Sequence, residues 1–154
     1  MGLFDSIKTF TDTIKGTYES GKAMWKYEEI ADEIMEKVQA MYDNDDLNVT
    51  DTMNFQKYME ICGKLKRTKA GSDEHNDASN AKDVVVIEMF KSLLDYDSVD
   101  EELKDKINDA LAMYDQAKEA VVGIFEKHCD GDEESMEKIR EAVDEEFCDT
   151  KKED

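Results

Sequence analysis

The sequence predicts an all-α protein, a bundle of four to five helices, and three observations carry that prediction. No proline occurs in its 154 residues, so nothing removes a helical N–H or clashes with the preceding turn. Apolar side chains recur at three- and four-residue spacing along most of the chain, the period of a helix face. The one β-branched run, Val84 to Ile87, has no second strand-like segment to pair with, and a lone strand is not stable.

The first helix is expected to be long, spanning residues 3–43. Asp5, Asp12 and Glu19 recur in step with Lys8, Lys15 and Lys22, so each acid stands three residues before a base, where helix side chains are neighbours. Phe4, Ile7, Thr11, Ile14, Tyr18 and Trp25 fall on the a and d positions of the same heptads. Gly16 and Gly21 each weaken a helix by roughly 1 kcal/mol relative to Ala, which makes the stretch between them the place for a bend. Tyr27, Ile30, Ala31, Ile34, Val38 and Met41 continue the stripe until Asp43, Asn44, Asp45 and Asp46 break it.

A second helix is expected to be capped by Thr50 or Asp51 and to carry Phe55, Tyr58, Met59, Cys62 and Leu65. Lys64, Lys66, Arg67 and Lys69 complement the dipole at its end, before Gly71, and are expected to pair with acidic helices. Residues 68–82 have no apolar period and read as a mobile loop, whose shortening by residues 70–81 is expected to alter stability little. Val86, Phe90, Leu93 and Leu94 mark a third helix.

After a turn at Asp95 to Ser98, the stripe of Val99, Leu103, Ile107, Ala110, Leu111, Tyr114, Ala117, Val121, Ile124 and Phe125 predicts a central helix over 99–128. A break at Cys129 to Asp132 precedes a last amphipathic helix with Met136, Ile139, Val143 and Phe147. Residues 1–148 are read as one domain and 149–154 as a fraying acidic tail.

Charge bounds the partners. Forty Asp and Glu face twenty Lys and Arg, a formal charge of −20, which repels nucleic acid and anionic lipid and attracts cationic proteins. Residues 1–66 hold 8 basic and 13 acidic side chains, whereas residues 67–154 hold 12 and 27. The C-terminal half therefore carries most of the field. Glu133, Glu134, Glu137, Glu141, Asp144, Glu145 and Glu146 are the candidate partner-binding residues; Phe4, Ile7 and Phe10, on an apolar N-terminal edge, are the alternative.

Enzyme chemistry finds little support in the residues. Asp43, Asp45, Asp46, Asn48 and Asp51 cluster between helices, but no register supplies the ligands of an EF-hand with glycine at its sixth position. His75 and His128 are the only histidines, and His128, Cys129 and Cys148 make at most three of four zinc ligands. Two of the three cysteines, Cys129 and Cys148, lie in acidic sequence, which raises a thiol pKa. Neither G-x-G-x-x-G nor a P-loop is present. No cofactor and no metal are expected.

The absence of a secretory core and the odd cysteine count favour reduced thiols and a cytoplasmic location. Asn48 to Thr50 forms a glycosylation sequon that reads instead as turn chemistry. Met1 to Ser6 fits a myristoylation pattern without a second membrane signal, so stable insertion is not expected. The expectation is a non-enzymatic acidic binding module, an adaptor or inhibitor that engages a basic protein surface without contacting nucleic acid directly. Its alternatives are a DNA mimic, and a self-assembling or membrane-peripheral protein acting through residues 3–27, where the N-terminal helix would form homo-oligomers.

Overall fold

A computed structural model describes residues 18–126 and 133–150, and they form five helices with no strand among them. In chain order these are α1 (Tyr18–Asp43), α2 (Val49–Arg67), α3 (Asp73–Leu93), α4 (Glu101–Glu126) and α5 (Glu133–Glu146). The expected extension of α1 to residue 3, the Gly16 side of its bend and the break at Cys129 to Asp132 lie outside the described residues.

Two antiparallel-type pairs organise the bundle: α1 packs along α4, and α2 packs along α3, with α5 laid on α4. The expected stripes face inward. Ile34, Val38, Ile107, Ala110, Tyr114, Ala117, Val121, Phe90, Leu93 and Val143 are fully buried. Tyr114 is the joint between elements, its ring meeting Tyr27 of α1 edge-on at 5.1 Å and Phe147, just past α5, at 5.4 Å. Edge-to-face pairs of this kind add about 0.5–1.5 kcal/mol beyond area burial.

Trp25 departs from the heptad reading. The buried face of α1 runs Ala23, Tyr27, Ala31, Ile34 and Val38, and Trp25, two residues from both Ala23 and Tyr27, points away from it at 65% exposure.

The caps explain where the helices stop. At the end of α1, Asp46 N–H donates to the Met41 carbonyl at 2.8 Å and Asp45 N–H to that of Tyr42 at 3.2 Å, with Asp45 at φ 59°. This is a Schellman closure in which Asp45 occupies the left-handed position usually given to glycine. The cap of α2 is Asn48, not Thr50 or Asp51: its Oδ1 accepts from Asp51 N–H at 2.8 Å. The sequon residue thus serves turn chemistry, as expected.

The loop expected over 68–82 is a correction. Only residues 68–72 connect α2 and α3, because Ser72 caps α3 by accepting from His75 N–H at 3.2 Å and Asp73 and Glu74 occupy its first turn. Acids there complement the helix dipole and offset the missing apolar period. Thr68 Oγ1 lies 3.0 Å from His75 Nδ1, and Ala78 is buried. Removing residues 70–81 would delete the Ser72 cap and about two and a half turns of α3, with the buried Ala78, so it is expected to destabilise the fold strongly. The tail is a second correction: Lys91 donates to the Asp149 carbonyl at 2.8 Å, and the Thr150 hydroxyl donates to the Asp115 carboxylate at 2.7 Å. Residues 151–154 lie outside the described residues.

Candidate functional site

Helix α5 is short, 14 residues, and splits cleanly into two faces. Ile139, Ala142 and Val143 are buried against α4, whereas Glu133, Glu134, Glu137, Glu141, Asp144 and Glu145 are exposed. The split follows from the residues, since burying an unpaired carboxylate costs far more than burying a methyl group gains. Asp144 meets Lys118 of α4 at 2.6 Å and Glu134 meets Lys138 at 3.7 Å. Among the described residues, Glu133, Glu137, Glu141 and Glu145 form no ion pair. Glu146 closes the helix. Phe4, Ile7 and Phe10 lie outside the described residues.

Charge density separates two readings of this face. Fourteen residues rise about 21 Å. Six exposed acids less Lys138 and Arg140 leave about one net charge per 5 Å, against one per ~1.7 Å for duplex DNA. The face is an anionic surface three times sparser than a duplex.

The cationic cluster at the end of α2 has a different setting from the expected one. Lys64, Lys66 and Arg67 stand in the last turn, where they complement the dipole, but among the described residues they form no ion pair with the acidic helices. Lys64 and Arg67 instead edge an open groove between α2 and α3 floored by Ile61, Val84 and Val85.

Two polar features inside the bundle escaped the sequence reading. The first is Asp51, 1% exposed, whose Oδ2 accepts from Ser92 Oγ and Tyr96 OH, each at 2.6 Å. Tyr96 OH in turn accepts from Asn48 N–H at 2.9 Å. This cluster ties the start of α2 to the end of α3 and the turn that follows it. Burial and the bond to Asp51 push the Tyr96 hydroxyl up to about 12.

The second is a cleft of about 230 Å³ between α1, α2 and α3. Tyr27, Glu28 and Asp32 line it from α1, Tyr58 and Leu65 from α2, and His75, Ser79, Lys82 and Asp83 from α3. The Tyr27 ring is 2% exposed, and its hydroxyl is buried without a hydrogen-bond partner. Burial, then the negative groups around it, push that hydroxyl well above the usual tyrosine range. Burial also raises the Glu28 carboxyl, against the opposing pull of Lys82.

Among the described residues Cys62 and Cys148 form no disulfide, and Cys148 Sγ lies 3.2 Å from Tyr114 OH. Among the described residues no group of three or more His, Cys, Asp or Glu side chains is placed to hold a metal ion, and no helix is long and apolar enough to cross a membrane. Compared with known families, curated proteins and solved structures, the chain matches none.

Proposed function

We propose that the protein is a non-enzymatic binding module whose α5 face engages a basic surface of a partner protein. The observation that carries this reading is the row of Glu133, Glu137, Glu141 and Glu145, exposed at four-residue spacing and without ion-pair partners among the described residues. Like charges held about 6 Å apart along a rigid helix repel one another. A cationic surface relieves that repulsion and gains steered encounter. The low charge density weighs for a general basic partner over a protein evolved to grip duplex-sized charge, so the DNA-mimic reading ranks below it.

A second reading has one observation of its own. Trp25, a member of the N-terminal apolar series, is 65% exposed, and an exposed Trp is a frequent anchor at protein interfaces. Partner docking through residues 3–27 would use it.

Affinity capture from the native host tests both readings. Baits are the wild-type chain, a variant with Glu133, Glu137, Glu141 and Glu145 changed to Gln, and one with Phe4, Ile7 and Phe10 changed to Ser. Basic proteins retained by the wild type at about 0.1 M salt, released at about 0.5 M and absent from the Gln bait are the expected result. Retention by the Gln bait with loss from a folded Ser bait would transfer the function to the N-terminal edge.

A further inference from the structure

We propose that the groove between α2 and α3 is a docking site for an acidic amphipathic helix of a partner protein. None of its lining residues belongs to α5, so the two faces are tested separately.

The chain is acidic overall, and at this groove the sign reverses. From Lys57 to Lys69 there are five basic residues and one acid, Glu60, in a molecule of formal charge −20. Lys57, Lys64 and Arg67 line the groove together with Glu60, three positive charges less one negative. None of the four forms an ion pair among the described residues, so the surplus is not cancelled there. Asp77 and Glu88 stand one turn beyond either end of the α3 wall and do not line it, and Lys91 holds Glu88 at 3.0 Å. The helix dipole accounts for Lys64 and Arg67 in the last turn of α2. It fades within that turn and does not account for Lys57, ten residues before the end.

The floor decides what the cations flank. Val84 is 49% exposed, Ile61 and Val85 are half-buried and Ala81 is exposed. This is a strip of aliphatic surface edged by charge, the pattern of a docking surface. Met53, exposed one turn before Lys57, continues the strip along α2. Both walls are helices whose backbone groups are already paired, so an extended peptide finds no edge to bond, whereas a helix satisfies its own backbone. The cationic rim runs from Lys57 to Arg67, about 15 Å or three turns of a docked helix. Lys57 and Lys64 stand seven residues apart with Ile61 between them, the flank-and-core arrangement of a coiled coil. Cationic flanks at that repeat select an incoming helix with acids at the same repeat.

The probe is a capped peptide of about fifteen residues, with Leu along one face, Glu seven residues apart on both edges of that face and Ala elsewhere. Two control peptides carry Gln or Lys in place of every Glu. Each is titrated at constant ionic strength into the full chain labelled with nitrogen-15, and amide shifts are followed. The expected result is saturable shifts confined to residues around 53–67 and 81–88, with affinity falling in the order Glu, Gln, Lys. Changing Lys64 and Arg67 together to Gln is expected to weaken the Glu peptide about tenfold or more. Val84→Glu, at a half-exposed position, is expected to abolish saturation, and Lys37→Gln, at an exposed lysine of α1, to leave binding unchanged. Circular dichroism verifies that each variant is folded. Equal affinity for the Glu and Gln peptides, absence of saturable shifts, or undiminished binding by the folded Lys64 and Arg67 variant would overturn the proposal. So would shifts at the same residues when the chain alone is concentrated, which would seat a second copy in the groove. Sedimentation of the wild type, but not of that variant, with phosphatidylglycerol vesicles would assign the groove to an anionic membrane and overturn it too.

Discussion

Asp51 shows how far a single residue can depart from its sequence context. It follows a run of exposed acids and amides at the α1–α2 junction and sits in the first turn of α2, yet it turns inward and gathers Ser92 and Tyr96 at 2.6 Å each. A carboxylate at this depth is tolerable only while its donors stay in place. Tyr96→Phe removes one donor and also the acceptor for Asn48 N–H. It is expected to lower stability by about 1.5–3 kcal/mol, measured by urea unfolding with an unchanged m-value. A loss below about 0.5 kcal/mol would mean that the cluster is ornamental. Nothing in the sequence marks Asp51 for burial while Asp45 and Asp46 stay exposed, because that distinction is made by the end of α3 and the turn after it, about forty residues later. The Tyr27 cleft was hidden for the same reason: its walls come from three helices, and no spacing along the chain brings Tyr27, Tyr58 and Lys82 together.

At the scale of elements, legibility followed repetition. The α4 stripe from Val99 to Val121 was readable because each buried residue is flanked by others one turn away, and the structure buries Ile107, Ala110, Tyr114, Ala117 and Val121 completely. The first three turns of α3 were not readable, since Ala78 is their one buried apolar residue and the helix there rests on a Ser72 cap and acidic first turn. Trp25 misled for the opposite reason, a heptad position filled by an aromatic that the core does not use. The α1 terminus offers a direct check on cap geometry. Asp45 adopts φ 59° beside a helix C-terminus, where both the left-handed backbone and the negative charge are unfavourable. Asp45→Gly relieves both and is expected to raise stability by about 0.5 kcal/mol after the added flexibility of the unfolded chain is counted. Asp45→Ala should instead lower it, and thermal unfolding of the pair against wild type gives the comparison.

For the molecule as a whole, charge and tyrosine burial set the response to pH. Of the six tyrosines, Tyr27, Tyr58, Tyr96 and Tyr114 all have hydroxyls pushed upward, in each case by burial first. An unfolded tyrosine ionises near pH ~10. Because the folded values are higher, the unfolded chain loses its protons first, so this stability is complete below pH ~10 and is lost as pH rises toward 12 and beyond. The tyrosinate absorbance of Tyr27, Tyr58, Tyr96 and Tyr114 should therefore appear only as helicity collapses. Ionisation of these four in a chain that keeps its helicity would contradict the account. On the acidic side, the raised Glu28 carboxyl contributes with the same sign, stabilising as it gains its proton, and relief of a −20 field works in that direction too. Mild acidification toward pH ~5 is expected to be neutral or stabilising.

The association rate between the chain and a basic protein recovered by capture tests the functional account most directly. It should be measured by stopped flow over a series of salt concentrations, for the wild type and for the variant with Glu133, Glu137, Glu141 and Glu145 changed to Gln. If α5 steers the encounter, the wild-type rate falls steeply as salt rises, because exposed charges are screened beyond ~8 Å at physiological ionic strength. The Gln variant should start slower by about tenfold or more and depend only weakly on salt, with its dissociation rate little changed. Equal association rates and equal salt slopes for the two proteins would contradict the account and remove α5 from the interface.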